Sequence, residues 1–203
     1  MRHNILTAVS IIVLSTLYID TSAQADYVFS ATSGSFTELS GAVDIDAIEG
    51  DDEVSSGLPL GFNFEFGGVT YNHVKPSSNG FLYLDTINSN TRLANDLDNV
   101  GDAIIAPLWD DLDGGATGSK ASYLTSGTSP NRIFTIEWLK WEWSYAAGAE
   151  VISFQVKLYE TSNKVVFIYR PESSNPNNPS ASIGVTGTST GVGTFLSLNG
   201  TGA

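Results

Sequence analysis

Leu58-Pro59-Leu60-Gly61-Phe62-Asn63-Phe64-Glu65-Phe66 is the stretch that decides the fold. Leu58, Leu60, Phe62, Phe64 and Phe66 take every second place, so an extended backbone sends all five to one face. Gly67-Gly68 follows, a two-residue hairpin signal, and Val69 to Lys75 reads as the return strand. Asn79-Gly80 is the next turn signal, with a short strand Phe81–Leu84 beyond it.

The same reading extends in both directions. Downstream, Ile152, Phe154, Val156 and Leu158 alternate with Ser153, Gln155 and Lys157. Val165 to Tyr169 is apolar on both faces, the pattern of a central strand. Ala181–Val185 and Phe195–Leu198 are further strands, as are Ile104–Trp109, Ser122–Thr125 and Ile133–Trp143. Upstream, Tyr27–Ser30 and Phe36–Leu39 are expected to be strands as well. No segment keeps a helical period. The expectation is an all-β domain: a two-sheet antiparallel β-sandwich or jelly roll of about 10–12 short strands.

One segment breaks the alternation. Phe134, Ile136 and Trp138 share one face of a strand, while Leu139, Trp141 and Trp143 fall on the other. Either a bulge near Trp138 swaps the phase and buries both sets, or the second set points outward. Outward tryptophans at 141 and 143, with Tyr145 beyond them, would make a platform for stacking on sugar rings.

The chain has 203 residues, no cysteine and a formal charge of −13. Arg2 and His3, the apolar run Ile5 to Tyr18, and Ala23-Gln24-Ala25 have the form of a cleaved secretory signal over residues 1–25. The run is shorter than the ~20 residues that span a bilayer. Residues 26–203 then form a single domain working outside the cytoplasm, secreted or at the cell surface, with no membrane insertion after signal cleavage. The leader holds one arginine and one aspartate, so the mature charge is unchanged. That field repels phosphate backbones, which argues against nucleic acid, and it suits neutral partners or divalent cations. The absence of cysteine excludes disulfides, thiolate metal sites and cysteine nucleophiles.

Pro107-Leu108-Trp109-Asp110-Asp111-Leu112-Asp113-Gly114-Gly115 places three carboxylates in four residues, the hard oxygen donors that Ca2+ takes. Asp110, Asp111 and Asp113 are the candidate ligands. The spacing is not that of an EF-hand, because the twelfth residue from Asp111 is Ser122. Asp96, Asp98 and Asp102 form a second acidic loop. The alternative for such residues is a turn role, with Asp accepting from nearby backbone amides. The mature chain has one histidine, His73, with no nucleophile motif near it. Glu137 and Glu142 are the carboxylates a secreted β-sandwich glycoside hydrolase would use. Their odd spacing puts them on opposite faces of an unbulged strand.

Leu58–Phe66, Ser77–Leu84 (SSNGFLYL), Ile105–Asp113 (IAPLWDDLD), Asn131–Ser144 (NRIFTIEWLKWEWS) and Val151–Glu160 together resemble a domain of large exported Bacteroidota proteins. The Ser-Asn-Gly-Phe and Ala-Pro-Leu-Trp-Asp-Asp pieces also look distantly like the nidogen-type extracellular domain. The resemblance implies a non-catalytic module for adhesion or recognition, its partner an extracellular glycan or a neighbouring protein. It further implies an N-terminal module of a longer protein sorted by type IX secretion. No catalytic residue comes with it.

Overall fold

The structure is a computed structural model that describes residues 27–145, 148–191 and 193–198. The expected leader lies outside the described residues. In chain order the strands are β1 (Val43–Asp44), β2 (Leu58–Phe66), β3 (Val69–Pro76), β4 (Leu82–Tyr83), β5 (Ile104–Trp109), β6 (Leu112–Asp113), β7 (Lys120–Ser126) and β8 (Ile133–Trp143). They continue with β9 (Ile152–Tyr159), β10 (Val165–Pro171), β11 (Ser182–Thr186) and β12 (Phe195–Ser197). One sheet runs β1-β7-β8-β9-β10, with β6 also on β8; the other runs β12-β11-β5-β4-β3-β2. All pairings are antiparallel. The two sheets stack as a β-sandwich, as the alternation demands.

Leu60, Phe62, Phe64 and Phe66 of β2 are buried while Gly61, Asn63 and Glu65 between them are exposed. Opposite lie Phe134, Ile136 and Trp138 of β8 and Phe154, Val156 and Leu158 of β9. Each such side chain taken fully from water contributes roughly 1.5–3 kcal/mol. Gly67 and Gly68 turn the β2–β3 hairpin at φ of 59° and 72°, a conformation open to glycine with little strain.

The phase conflict in β8 is resolved by a bulge. The register on β9 shifts between Trp138 and Trp141, with Lys140 at φ 55°. The extra residue returns Trp141 to the core face, and both Trp138 and Trp141 are fully buried. The bulged backbone is held by two serines. Lys140 N–H donates to Ser153 Oγ at 2.9 Å, and Ser119 Oγ donates to the Lys140 carbonyl at 2.6 Å.

Two expectations are corrected. Tyr27–Ser30 and Phe36–Leu39 are not strands; they belong to an extended strap over sheet edge and outer face, with no ladder of backbone bonds. Val165–Tyr169 is the edge strand β10 and not a central one. Its outer face is covered in part by the strap, where Phe36 lies against the Arg170 guanidinium at 4.6 Å. That cover accounts for apolar residues on both faces of an edge.

Candidate functional site

The turn after β3, Ser77-Ser78-Asn79-Gly80, is wholly buried, and the rest of the site is built on it. A polar turn survives in a core only when its groups are paired. Trp138 Nε1 donates to the Ser77 carbonyl at 3.0 Å, and Trp141 Nε1 donates to the Ser78 carbonyl at 2.9 Å. Asn79 Oδ1 accepts from Leu112 N–H at 3.0 Å, and Asn79 Nδ2 donates to Asp52 Oδ1 at 2.9 Å and to the Thr91 carbonyl at 3.2 Å. Gly80 has φ 71°, and an added Cβ there would lie 2.0 Å from the Leu108 carbonyl oxygen. Ser77 Oγ and Ser78 N–H donate to the Glu53 carbonyl, drawing the 50–55 loop onto the turn.

Asp110 follows β5 and is buried. Its carboxylate accepts from Asp111 N–H, Ser180 N–H, Ser180 Oγ and Trp143 Nε1 at 2.7–3.0 Å. Four donors fill its lone pairs, so Asp110 ties the 171–180 loop to the sandwich and has no oxygen left for a cation. It lies outside the group of converging carboxylates. Asp113 Oδ1 accepts from Gly115 N–H at 2.7 Å, a turn role, and Asp113 bridges Asp51 through the backbone.

Among the described residues, the carboxylates that converge are Asp51, Asp52 and Asp111, with one oxygen of each within 4.8 Å of the others. Asp51 is raised above the ordinary carboxylate range by desolvation, then by the charges of Asp52, Asp113 and Asp111. Asp111 is raised by desolvation, then by Asp52, Asp110 and Asp113. Asp52 stands at φ 53°, a left-handed conformation that aspartate tolerates. Three mutually repelling carboxylates at this separation offer hard oxygen donors suited to Ca2+. Sequence reading missed Asp51 and Asp52 because some sixty residues separate them from Asp111. The signal available was the Gly50-Asp51-Asp52 run in an acidic loop.

The aromatic trio is split. Trp141 has no exposed surface, its ring in the core and its N–H on Ser78, so it cannot stack on a sugar. Trp143 is half-buried with its N–H on Asp110. Tyr145 is 62% exposed. The other site expectations also find places. Asp102 pairs with Arg92 and Asn88, which closes the 85–102 loop. His73 meets Asn72 Oδ1 at 2.8 Å, with no nucleophile among its partners.

Glu137 and Glu142 are both buried. The bulge between them puts both on the outer face, where an unbulged strand would put them on opposite faces. Glu137 accepts from Leu39 N–H and from Gln155 Nε2, and Glu142 accepts from Gly148 N–H. Burial raises the Glu137 carboxyl, its hydrogen bonds opposing the shift. Neither residue lines the open clefts between β10 and β12 or beneath the 85–90 loop.

The fold is an antiparallel β-sandwich whose Ser77–Gly80 turn is buried between its sheets. The family model described as NIDO related matches residues 26–203, and the chain belongs to that family. The assignment points to an extracellular setting. Among the described residues no helix is long and apolar enough to cross a membrane. Comparison with curated proteins and with solved structures returns no match.

Proposed function

We propose that this chain is a non-catalytic recognition module of the cell exterior, exported by its leader and carried on a Bacteroidota surface protein of the type IX-sorted kind. One observation carries the reading. The side chains that chemistry would need, Glu137, Glu142 and Asp110, are buried and engaged by internal donors. What faces solvent is loop surface on a rigid scaffold, the usual place for recognition. The contact face in this reading is the end of the sandwich that carries Asp51, Asp52 and Asp111, with Tyr145 on the loop after β8. Its ligand is an extracellular glycan, with Ca2+ bridging the three carboxylates and sugar hydroxyls.

Glycan arrays probed with the protein in calcium and in chelator test this reading. Calcium-dependent binding that is lost in Tyr145→Ala and Asp111→Asn, both still folded, is the expected result. Binding to no glycan in either condition refutes the glycan ligand. Shortening of polysaccharide on incubation, abolished by Glu137→Gln, would replace a binding module with a hydrolase.

A further inference from the structure

At one side of the sandwich the two sheets part. Between edge strands β10 and β12 lies an opening of about 580 Å3, lined by Val165, Phe167 and Tyr169 from one sheet and Ile183, Val185 and Leu196 from the other. Val165, Phe167 and Tyr169 stand opposite Leu158, Val156 and Phe154 of β9, all buried in the core. Residues directly opposed across a ladder share a face, so these three side chains point into the sandwich. They are its core face continued to an unclosed margin.

The backbone of the same residues is open. Tyr159 N–H donates to the Lys164 carbonyl, and Glu172 N–H to the Val151 carbonyl. Pairing on β9 therefore falls on the even-numbered residues, and the N–H and C=O of Val165, Phe167 and Tyr169 point away from the sheet. No backbone bond from any described residue meets them. The strap residues Tyr27 to Thr32 flank the opening: Tyr27 Oη donates to the Asn163 carbonyl at 3.0 Å, and Val28 is 94% exposed. Pro171 and the paired Arg170 blunt the far end of β10, and among the described residues nothing equivalent guards 165–169.

We propose that this margin is a strand-acceptor site for an extended segment of a partner protein, neutral or acidic, with apolar residues at alternate positions. Three donors and three acceptors in a row above an apolar slot call for a polypeptide backbone. An acyl chain would leave them unmatched, and sugar hydroxyls do not repeat at the alternating N–H and C=O spacing of a strand. The slot spans five residues, about 16 Å of strand. Its charge selects further. Lys164 is the one charged residue among the described residues of the lining. A neutral or acidic strand meets no like charge beside the Lys164 ammonium, whereas a basic strand does. The site is separate from the carboxylate loops, so either assignment can fail without the other.

The test uses capped heptapeptides of alternating Thr and Val, with Asp or Lys at the centre, and reads amide hydrogen exchange together with fluorescence anisotropy. The expected result is fast exchange at Val165, Phe167 and Tyr169 in the free protein and slowed exchange with peptide. The Asp peptide should bind more tightly than the Lys peptide, an order that Lys164→Glu reverses. Phe167→Pro removes an outward N–H and no β9 bond, so it should weaken binding at least about tenfold while thermal unfolding stays cooperative. If Phe167→Pro unfolds the protein, Lys164→Glu alone carries the test. Three results overturn the proposal: no change in exchange with any peptide, protection already present in the free monomer, which assigns the edge to the strap, or concentration-dependent dimers abolished by Phe167→Pro, which assign it to a second copy.

Discussion

Asn79 is the residue at which the two nidogen-like pieces of sequence touch, since its carboxamide holds Leu112 N–H after one piece and itself lies in the other. It also positions Asp52, one of the three converging carboxylates. Asn79→Ala leaves a buried N–H unmatched and is expected to destabilise by about 2–4 kcal/mol in chemical denaturation. Gly80→Ala drives a Cβ into the Leu108 carbonyl and needs a left-handed alanine; a loss above about 3 kcal/mol or failure to fold is expected. Trp141 and Tyr145 separate by the same logic. Trp141→Phe strands the Ser78 carbonyl and lowers stability by about 1–3 kcal/mol, whereas Tyr145→Ala leaves the unfolding midpoint within measurement error. A Trp141→Phe protein as stable as the parent would contradict the buried indole bond.

At the scale of elements, the strap and β8 account for the differences between pattern and structure. Period-two reading located the strand Ile133–Trp143 at both ends, and it identified the conflict within it. Which of the two solutions holds depends on Ser119 and Ser153, remote side chains that satisfy the bulge. Tyr27–Ser30 and Phe36–Leu39 have strand composition and yet form none, because a strand requires a partner edge and not only propensity. The strap is seated instead on Glu137, which accepts from Leu39 N–H under cover of residues 37–39. Burial raises this carboxyl, with Glu38 adding to the shift and Arg170 opposing it. A carboxylate raised on folding favours the native state at low pH and penalises it as pH rises through the native value. Glu137→Gln should therefore gain stability at pH 7 relative to the parent, the gain shrinking as pH falls below the carboxylate range. Melting temperatures across pH 3–8 decide it, and a gain that grows toward acid contradicts the assignment.

For the whole molecule, the 50–52 and 110–113 loops bring Asp51, Asp52 and Asp111 together. Asp51 and Asp111 are both raised, so their ionised forms oppose folding at neutral pH and their protonation relieves the strain. Asp111→Asn should raise the melting temperature at pH 7, and the advantage should vanish toward pH 3. Millimolar Ca2+ should raise the parent's melting temperature and leave the variant's nearly unchanged. Equal responses of the two proteins would remove Asp111 from the cation site. Glu160 behaves oppositely: Arg132 holds it down to about 2, so its contribution is present at neutral pH and is lost only as pH falls through that value. Acid unfolding followed in Arg132→Ala should accordingly begin at higher pH.

Much of the architecture is set by local order along the chain. Alternation decides which face of each strand is buried, glycine pairs place the turns, and the lack of cysteine leaves the apolar core to hold the sheets. These are properties of neighbours in sequence, and a single chain displays them. The candidate site is different in kind. Asp51 and Asp52 join Asp111, Asp110 withdraws into four hydrogen bonds, Trp141 turns inward, and β10 becomes an open margin only once two sheets have stacked. Hydrogen-bond saturation, burial and edge exposure are set by residues far apart along the chain, and they exist only in the folded arrangement.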